Sequence, residues 1–129
     1  MKKLLLPLLS LVLFSGCQEV NSIDISQTTP QEKSAVESLM WLKQADAQRD
    51  AQQALTRGDK RLLAMAVRGT LLPGIEPELT SKAKSVCGVR YLPGSTDTIR
   101  GETHLKLLRI AEEYAADYNR IMVDHCMGK

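Results

Sequence analysis

Cys17, Cys87, Cys126, His104 and His125 are the side chains of this 129-residue chain best suited to nucleophilic or metal chemistry. Cys87, Cys126, His104 and His125 together make a zinc-capable set. Their spacing argues against a centre. His125 and Cys126 are neighbours on an expected helix, so their side chains diverge by about 100°, and no Cys-x-x-Cys pair occurs. Cys87, His104 and Asp97 have the types of a thiol nucleophile, base and orienting acid, yet nothing in the sequence brings them within hydrogen-bond reach. No Gly-x-Ser-x-Gly elbow, phosphate loop or dinucleotide fingerprint is present. Glu112 and Glu113 fall on the polar side of a helix, as solvated charges do. Arg57-Gly58-Asp59 reads as a helix stop followed by the start of the next element, which accounts for it better than an adhesion motif.

The loop Pro93–Thr98, flanked by Arg90 and Arg100, is more open to function. Arg90, Ser95, Thr96, Asp97 and Arg100 would form a polar rim, with two guanidinium groups able to grip a carboxylate or phosphate. Loops are where binding residues concentrate. The same residues also suit a turn and cap leading into the last helix. No catalytic residue, metal or cofactor is expected.

The elements that would position these groups follow from local signals. Thr29-Pro30-Gln31-Glu32 is a helix start: Thr29 as N-cap, Pro30 at the first position, Glu32 completing a capping box. An amphipathic helix is expected from there to about Thr56, stopped by Gly58, with Trp41 beside the apolar stripe as a core-edge residue. Residues 59–72 are ambiguous. Arg61–Val67 is rich in helix formers, but Val67–Gly74 echoes Val89–Gly94, and both end in Leu-Pro-Gly as an extended segment entering a type II turn would. Two short strands flanking a short helix (Glu76 to Val86, stopped by Gly88) are the favoured reading. A last amphipathic helix is expected from about Gly101 to Met127, closed by Gly128. The fold class is therefore α+β: two long amphipathic helices packed with a short helix and a minimal two-stranded sheet, an all-α hairpin or bundle being the alternative.

The chain begins with Met1-Lys2-Lys3, an apolar run from Leu4 to Phe14, and Ser15-Gly16-Cys17. A basic start, a short apolar run and small residues are the pattern of a secretory signal peptide. The run falls short of the ~20 residues a spanning helix needs. Leu13-Phe14-Ser15-Gly16-Cys17 resembles the lipobox of bacterial lipoproteins, with Phe14 where Leu is most common. The resemblance implies cleavage before Cys17, removal of residues 1–16, and acyl chains on Cys17. Two such chains already give stable anchoring. Gln18, where Asp would favour inner-membrane retention, points by the same resemblance to the outer membrane, facing the periplasm. Residues 17–28 would be the lipidated cysteine and a flexible polar tether, and 29–129 a single small domain.

Loss of Lys2 and Lys3 lowers the Lys+Arg count from 17 to 15, equal to the 15 Asp+Glu. A neutral exported domain has no electrostatic reason to bind nucleic acid. With Cys17 assigned to lipid, Cys87 and Cys126 remain as a pair in an oxidising compartment, where a disulfide forms and persists. Closing that loop would stabilise the fold by roughly 4 kcal/mol on the chain-entropy model. The expected function is a non-enzymatic, lipid-anchored periplasmic accessory lipoprotein presenting its domain to an envelope protein, with a pilotin-like role one version. The alternative is a small-ligand or envelope-polymer binding module using the Arg90/Arg100 loop.

Overall fold

The segment expected to form one helix over 29–56 breaks twice. The computed structural model describes residues 20, 23–26, 28–66, 72–96 and 98–128. In it α1 spans Pro30–Glu37, a 3-10 turn spans Met40–Gln44, and α2 spans Ala47–Thr56. Thr29 starts α1 as its composition requires, its hydroxyl accepting from the Glu32 N–H at 3.2 Å. Asp46 restarts the helix. Its carboxylate accepts from the Arg49 N–H at 2.9 Å, and Asp50 accepts from the Asp46 N–H at 3.2 Å. That reciprocal cap competes with a continuous helix through Ala45, whose backbone is extended. The break lets Leu39 and Leu42 both reach the core.

A strand forms within the stretch 59–72 that the sequence left ambiguous. β1 is Leu62–Ala64, inside the run read as rich in helix formers, while Val67–Leu71 lie outside the described residues. All three β1 residues are buried, and a short strand buried on both faces shows no alternation for a sequence to reveal. It pairs in parallel with β2, Val89–Tyr91, with Leu62 opposite Val89 and Ala64 opposite Tyr91. The crossover runs through a 3-10 turn at Pro77–Leu79 and α3, Thr80–Cys87, which ends at Gly88.

Both Leu-Pro-Gly turns form. Ile75 N–H donates to Leu72 O at 3.3 Å and Ser95 N–H to Leu92 O at 3.1 Å. Gly74 and Gly94 have φ of 78° and 77°, the left-handed backbone a type II turn demands at its third residue. A Cβ at Gly74 would also stand 2.5 Å from Ala116 O, so glycine is needed there twice over.

α4, Glu102–Cys126, is the spine. It lies against α1, α2, α3 and β1, burying Leu107, Leu108, Ala111, Ala115, Tyr118 and Met122. Together the helices and the two-stranded sheet make an α+β fold, stapled where α3 and α4 end: Cys87 and Cys126 are disulfide-bonded with Cα atoms 5.4 Å apart. Among the described residues no helix is long and apolar enough to cross a membrane.

One buried polar residue on α4 completes the sheet. Leu62 N–H donates to Gly88 O and Leu92 N–H to Ala64 O, so β1 meets β2 through those residues. Leu63 faces the other way. Its N–H donates to Asn119 Oδ1 at 2.7 Å, and Asn119 Nδ2 returns a bond to Leu63 O at 2.9 Å and a second to Pro73 O at 2.8 Å. A side-chain amide thus does for β1 what a third strand would do.

The lipobox residues, Cys17 included, lie outside the described residues. Two residues ahead of Thr29 touch the folded body. Val20 and Ile23 are half-buried against the core, so part of the segment read as tether rests on the domain.

Candidate functional site

Glu32 is where the sequence and the structure part most informatively. A capping-box glutamate should bond back to its own helix start. Instead Glu32 is almost wholly buried, and its Oε1 accepts from the Thr103 N–H at 3.0 Å and the His104 N–H at 3.2 Å. Those N–H groups belong to the first turn of α4, whose capping residue, Gly101, has no side chain to satisfy them. A carboxylate there also suits the positive end of the helix dipole. Gly101 leaves room for it, since a Cβ at that position would collide with the Glu32 carboxylate.

His104 joins the same clasp. It is fully buried, and its Nδ1 accepts from the Arg100 N–H at 3.0 Å. In the neutral ring the proton is therefore on Nε2, which has no hydrogen-bond partner. Burial pushes this imidazole below its ordinary value; the Glu32 carboxylate works against that, and Arg100 adds to it.

An open cleft of about 640 Å³ lies between α1 and the loop before α4. Gln31 and Ser34 line it from α1, Ser38 from the C-cap of that helix, and Ser95, Thr96 and Arg100 from the loop. Ser95 Oγ is buried without a hydrogen-bond partner. The Ser38 hydroxyl donates to Ala35 O at 2.6 Å, and Thr96 Oγ1 accepts from the Thr98 N–H at 3.2 Å. Arg100 is exposed, and among the described residues its guanidinium has no partner. A Cβ at Gly94 would lie 2.7 Å from Ser38 O, so the two walls meet at that glycine.

Of the five residues expected to share a rim, the structure brings Ser95, Thr96 and Arg100 to this cleft. Arg90 does not line it. Its guanidinium sits over the Tyr118 ring at 5.6 Å, a cation–π contact at the α4 core face. The expected pair of gripping arginines is therefore one arginine, because β2 is committed to the sheet while Arg100 precedes α4. Asp97 lies outside the described residues.

Trp41 is a core-edge residue. Its Nε1–H donates to Pro93 O at 3.0 Å, and its ring meets Tyr114 edge-on at 5.4 Å. Tyr114 in turn donates its hydroxyl to Asp50 Oδ2 at 2.8 Å, and burial together with that bond pushes the phenol well above its usual range. Asp59, paired bidentately with Arg61, is held down to about 2 by those bonds.

The remaining chemical candidates are dispersed. Cys87 and Cys126 are bonded to each other, so neither sulfur is free as nucleophile or ligand. His104 and His125 lie near opposite ends of α4, about 30 Å apart by helical rise. Among the described residues no group of three or more His, Cys, Asp or Glu is placed to hold a metal ion.

Sequence reasoning missed Glu32 and Gln31 as cleft and clasp residues. The signal for Glu32 was the glycine at 101: a helix start with no capping side chain must be satisfied from elsewhere. Comparison of the chain with protein-family models, curated proteins and solved structures returned no match.

Proposed function

We propose that this chain is a lipid-anchored accessory lipoprotein of the bacterial envelope. Cleavage before Cys17 leaves that residue acylated, and the domain from Val20 onward faces the periplasm from the outer membrane and binds another envelope protein. The single observation that carries the reading is the motif Leu13-Phe14-Ser15-Gly16-Cys17 after a basic, apolar leader. The Cys87–Cys126 disulfide supports it, because such bonds persist in oxidising compartments. Anchoring raises the effective concentration of the domain near membrane partners.

Val20 and Ile23 sharpen the picture of how the domain is held. With both packed on the core, the span left between Cys17 and the folded body is short. The domain would sit close to the bilayer, within reach of partners at the membrane surface.

The experiment is metabolic lipid labelling of the unmodified chain and Cys17→Ser. The expected result is label on the unmodified chain alone and an unprocessed precursor for Cys17→Ser. Normal maturation of Cys17→Ser overturns the anchor. Crosslinking in intact cells then tests partner binding.

A further inference from the structure

The His104 imidazole is fully buried, and it enters the fold as an acceptor. Its Nδ1 takes the Arg100 N–H at 3.0 Å, while its buried Nε2 faces no hydrogen-bond partner. Only the neutral ring with its proton on Nε2 can do this, because the imidazolium carries a proton on both nitrogens. Protonation would set a donor at Nδ1 against the donor N–H of Arg100. It would also leave a second charged N–H buried without an acceptor. A ring in that state cannot keep its place.

What gives way follows from how each side is held. The His104 backbone belongs to α4, and its N–H and that of Thr103 are anchored on the Glu32 carboxylate. Arg100 belongs to irregular chain: residues 98–100 form no helix or strand and are exposed, Ile99 among them. Gly101, between Arg100 and α4, has no side chain to restrain a change of direction. The loop therefore moves and the helix stays. The electrostatics act the same way. Among the described residues, the charged groups that act on the ring are Glu32 from α1, which favours the imidazolium, and Arg100 from the loop, which opposes it. A protonated ring is drawn towards α1 and repelled by the residue it had held. Burial opposes the charge most of all, and that penalty falls once the loop lifts and water reaches the ring.

We propose that His104 is an acid-sensitive latch: neutral, it holds the loop before α4 through the Arg100 N–H, and protonated, it releases that loop while Glu32 keeps α1 on α4. The surface around Ile99 and Arg100 then changes with the acidity around the domain. The latch goes beyond the accessory-lipoprotein reading and holds whether or not Cys17 is acylated.

The test is NMR of the full chain in detergent between about pH 7 and about pH 5. The His104 ring nitrogens report protonation. Amide hydrogen exchange, corrected for the pH dependence of an unstructured chain, reports the Arg100 bond. Protection of the Arg100 N–H should fall by about tenfold in step with ring protonation, while the Leu108, Ala111 and Ala115 amides of α4 keep theirs. Glu32→Gln keeps an oxygen for the two α4 N–H groups and removes the charge, so ring and loop transitions should move together to lower pH. In His104→Asn, Arg100 protection should no longer depend on pH. An Arg100 N–H that stays protected after the ring protonates overturns the latch. So does a ring that stays neutral until the whole chain unfolds, or protection lost along α4 at the same pH as at Arg100. Ring and loop transitions that separate in Glu32→Gln, or an unchanged pH dependence at Arg100 in His104→Asn, overturn it as well. Should His104→Asn fail to fold, the native titration and Glu32→Gln still decide. Labelling at Cys17 reads the anchor separately, so the two readings fail independently.

Discussion

Glu32 and His104, 72 residues apart, are joined by a hydrogen bond from the His104 backbone N–H to the Glu32 carboxylate, and both side chains are buried. The pair links the first helix of the domain to the start of the last one. It satisfies a helix start that lacks its own cap. Several expected outcomes follow from how that clasp and its neighbours are built.

Glu32→Ala should destabilise the domain by about 2 kcal/mol, since it removes two charge-assisted bonds from a helix N-terminus. Gly101→Ala should cost about 1–2 kcal/mol by driving the carboxylate off those same N–H groups. Because both act on one contact, the double variant should be less destabilised than the sum. Urea unfolding of the three variants measures this, and full additivity would show that Gly101 matters for another reason.

His104 predicts an acid-side loss of stability. Its native value lies below the ordinary 6.5, first because it is buried. The unfolded chain therefore binds more protons wherever the ring titrates. The contribution is complete above about pH 6.5 and is lost as pH falls from there through the native value. Asp59, held down to about 2, responds only in much stronger acid, so the two effects separate. Thermal unfolding between about pH 7 and pH 5 should show Tm falling for the native chain and a flatter profile for His104→Asn, which keeps an acceptor near Nδ1. Equal slopes would rule His104 out as the titrating group.

Asn119→Leu should cost about 3–5 kcal/mol, at the severe end for one substitution, because three buried bonds vanish and Leu63 and Pro73 are left unpaired. Asn119→Asp should be no milder, since it keeps an acceptor for the Leu63 N–H but faces two carbonyls with a charge. Denaturant midpoints read both, and a cost under about 1 kcal/mol would mean water replaces the amide.

Reduction of the Cys87–Cys126 bond, which closes a loop with a sequence separation of 39, should lower stability by about 4 kcal/mol. Unfolding with and without reductant measures the difference, and Cys87→Ser with Cys126→Ser should match the reduced chain. A change below about 1 kcal/mol would place the stability in the helices alone.

What could be read in the sequence was local. Gly88 and Gly128 stop their helices, Pro73-Gly74 and Pro93-Gly94 make their turns, and α4 declares itself by a long apolar stripe. The Cys87–Cys126 pairing came from counting cysteines rather than from shape. What could not be read depended on distant groups or on competing caps. Asp46 restarts a helix that its neighbours would have continued. Glu32 satisfies one half of a local pattern and spends its carboxylate elsewhere. Asn119 left a trace: a polar residue beside Tyr118 on an apolar helix face, which has to find partners in the core. The cleft was half legible. Ser95, Thr96 and Arg100 were named from their loop, but the α1 wall was invisible until the clasp folded it into place.

The Asn119 amide has a further effect on how copies of this domain meet. A two-stranded sheet normally exposes strand edges that invite pairing with another chain. On the β1 side that invitation is withdrawn, because the outward N–H and C=O of Leu63 are already occupied from within. A second molecule finds no free N–H or C=O at Leu63 to pair with. Where copies of this domain meet, a single buried amide thus keeps Leu63 out of strand pairing between molecules.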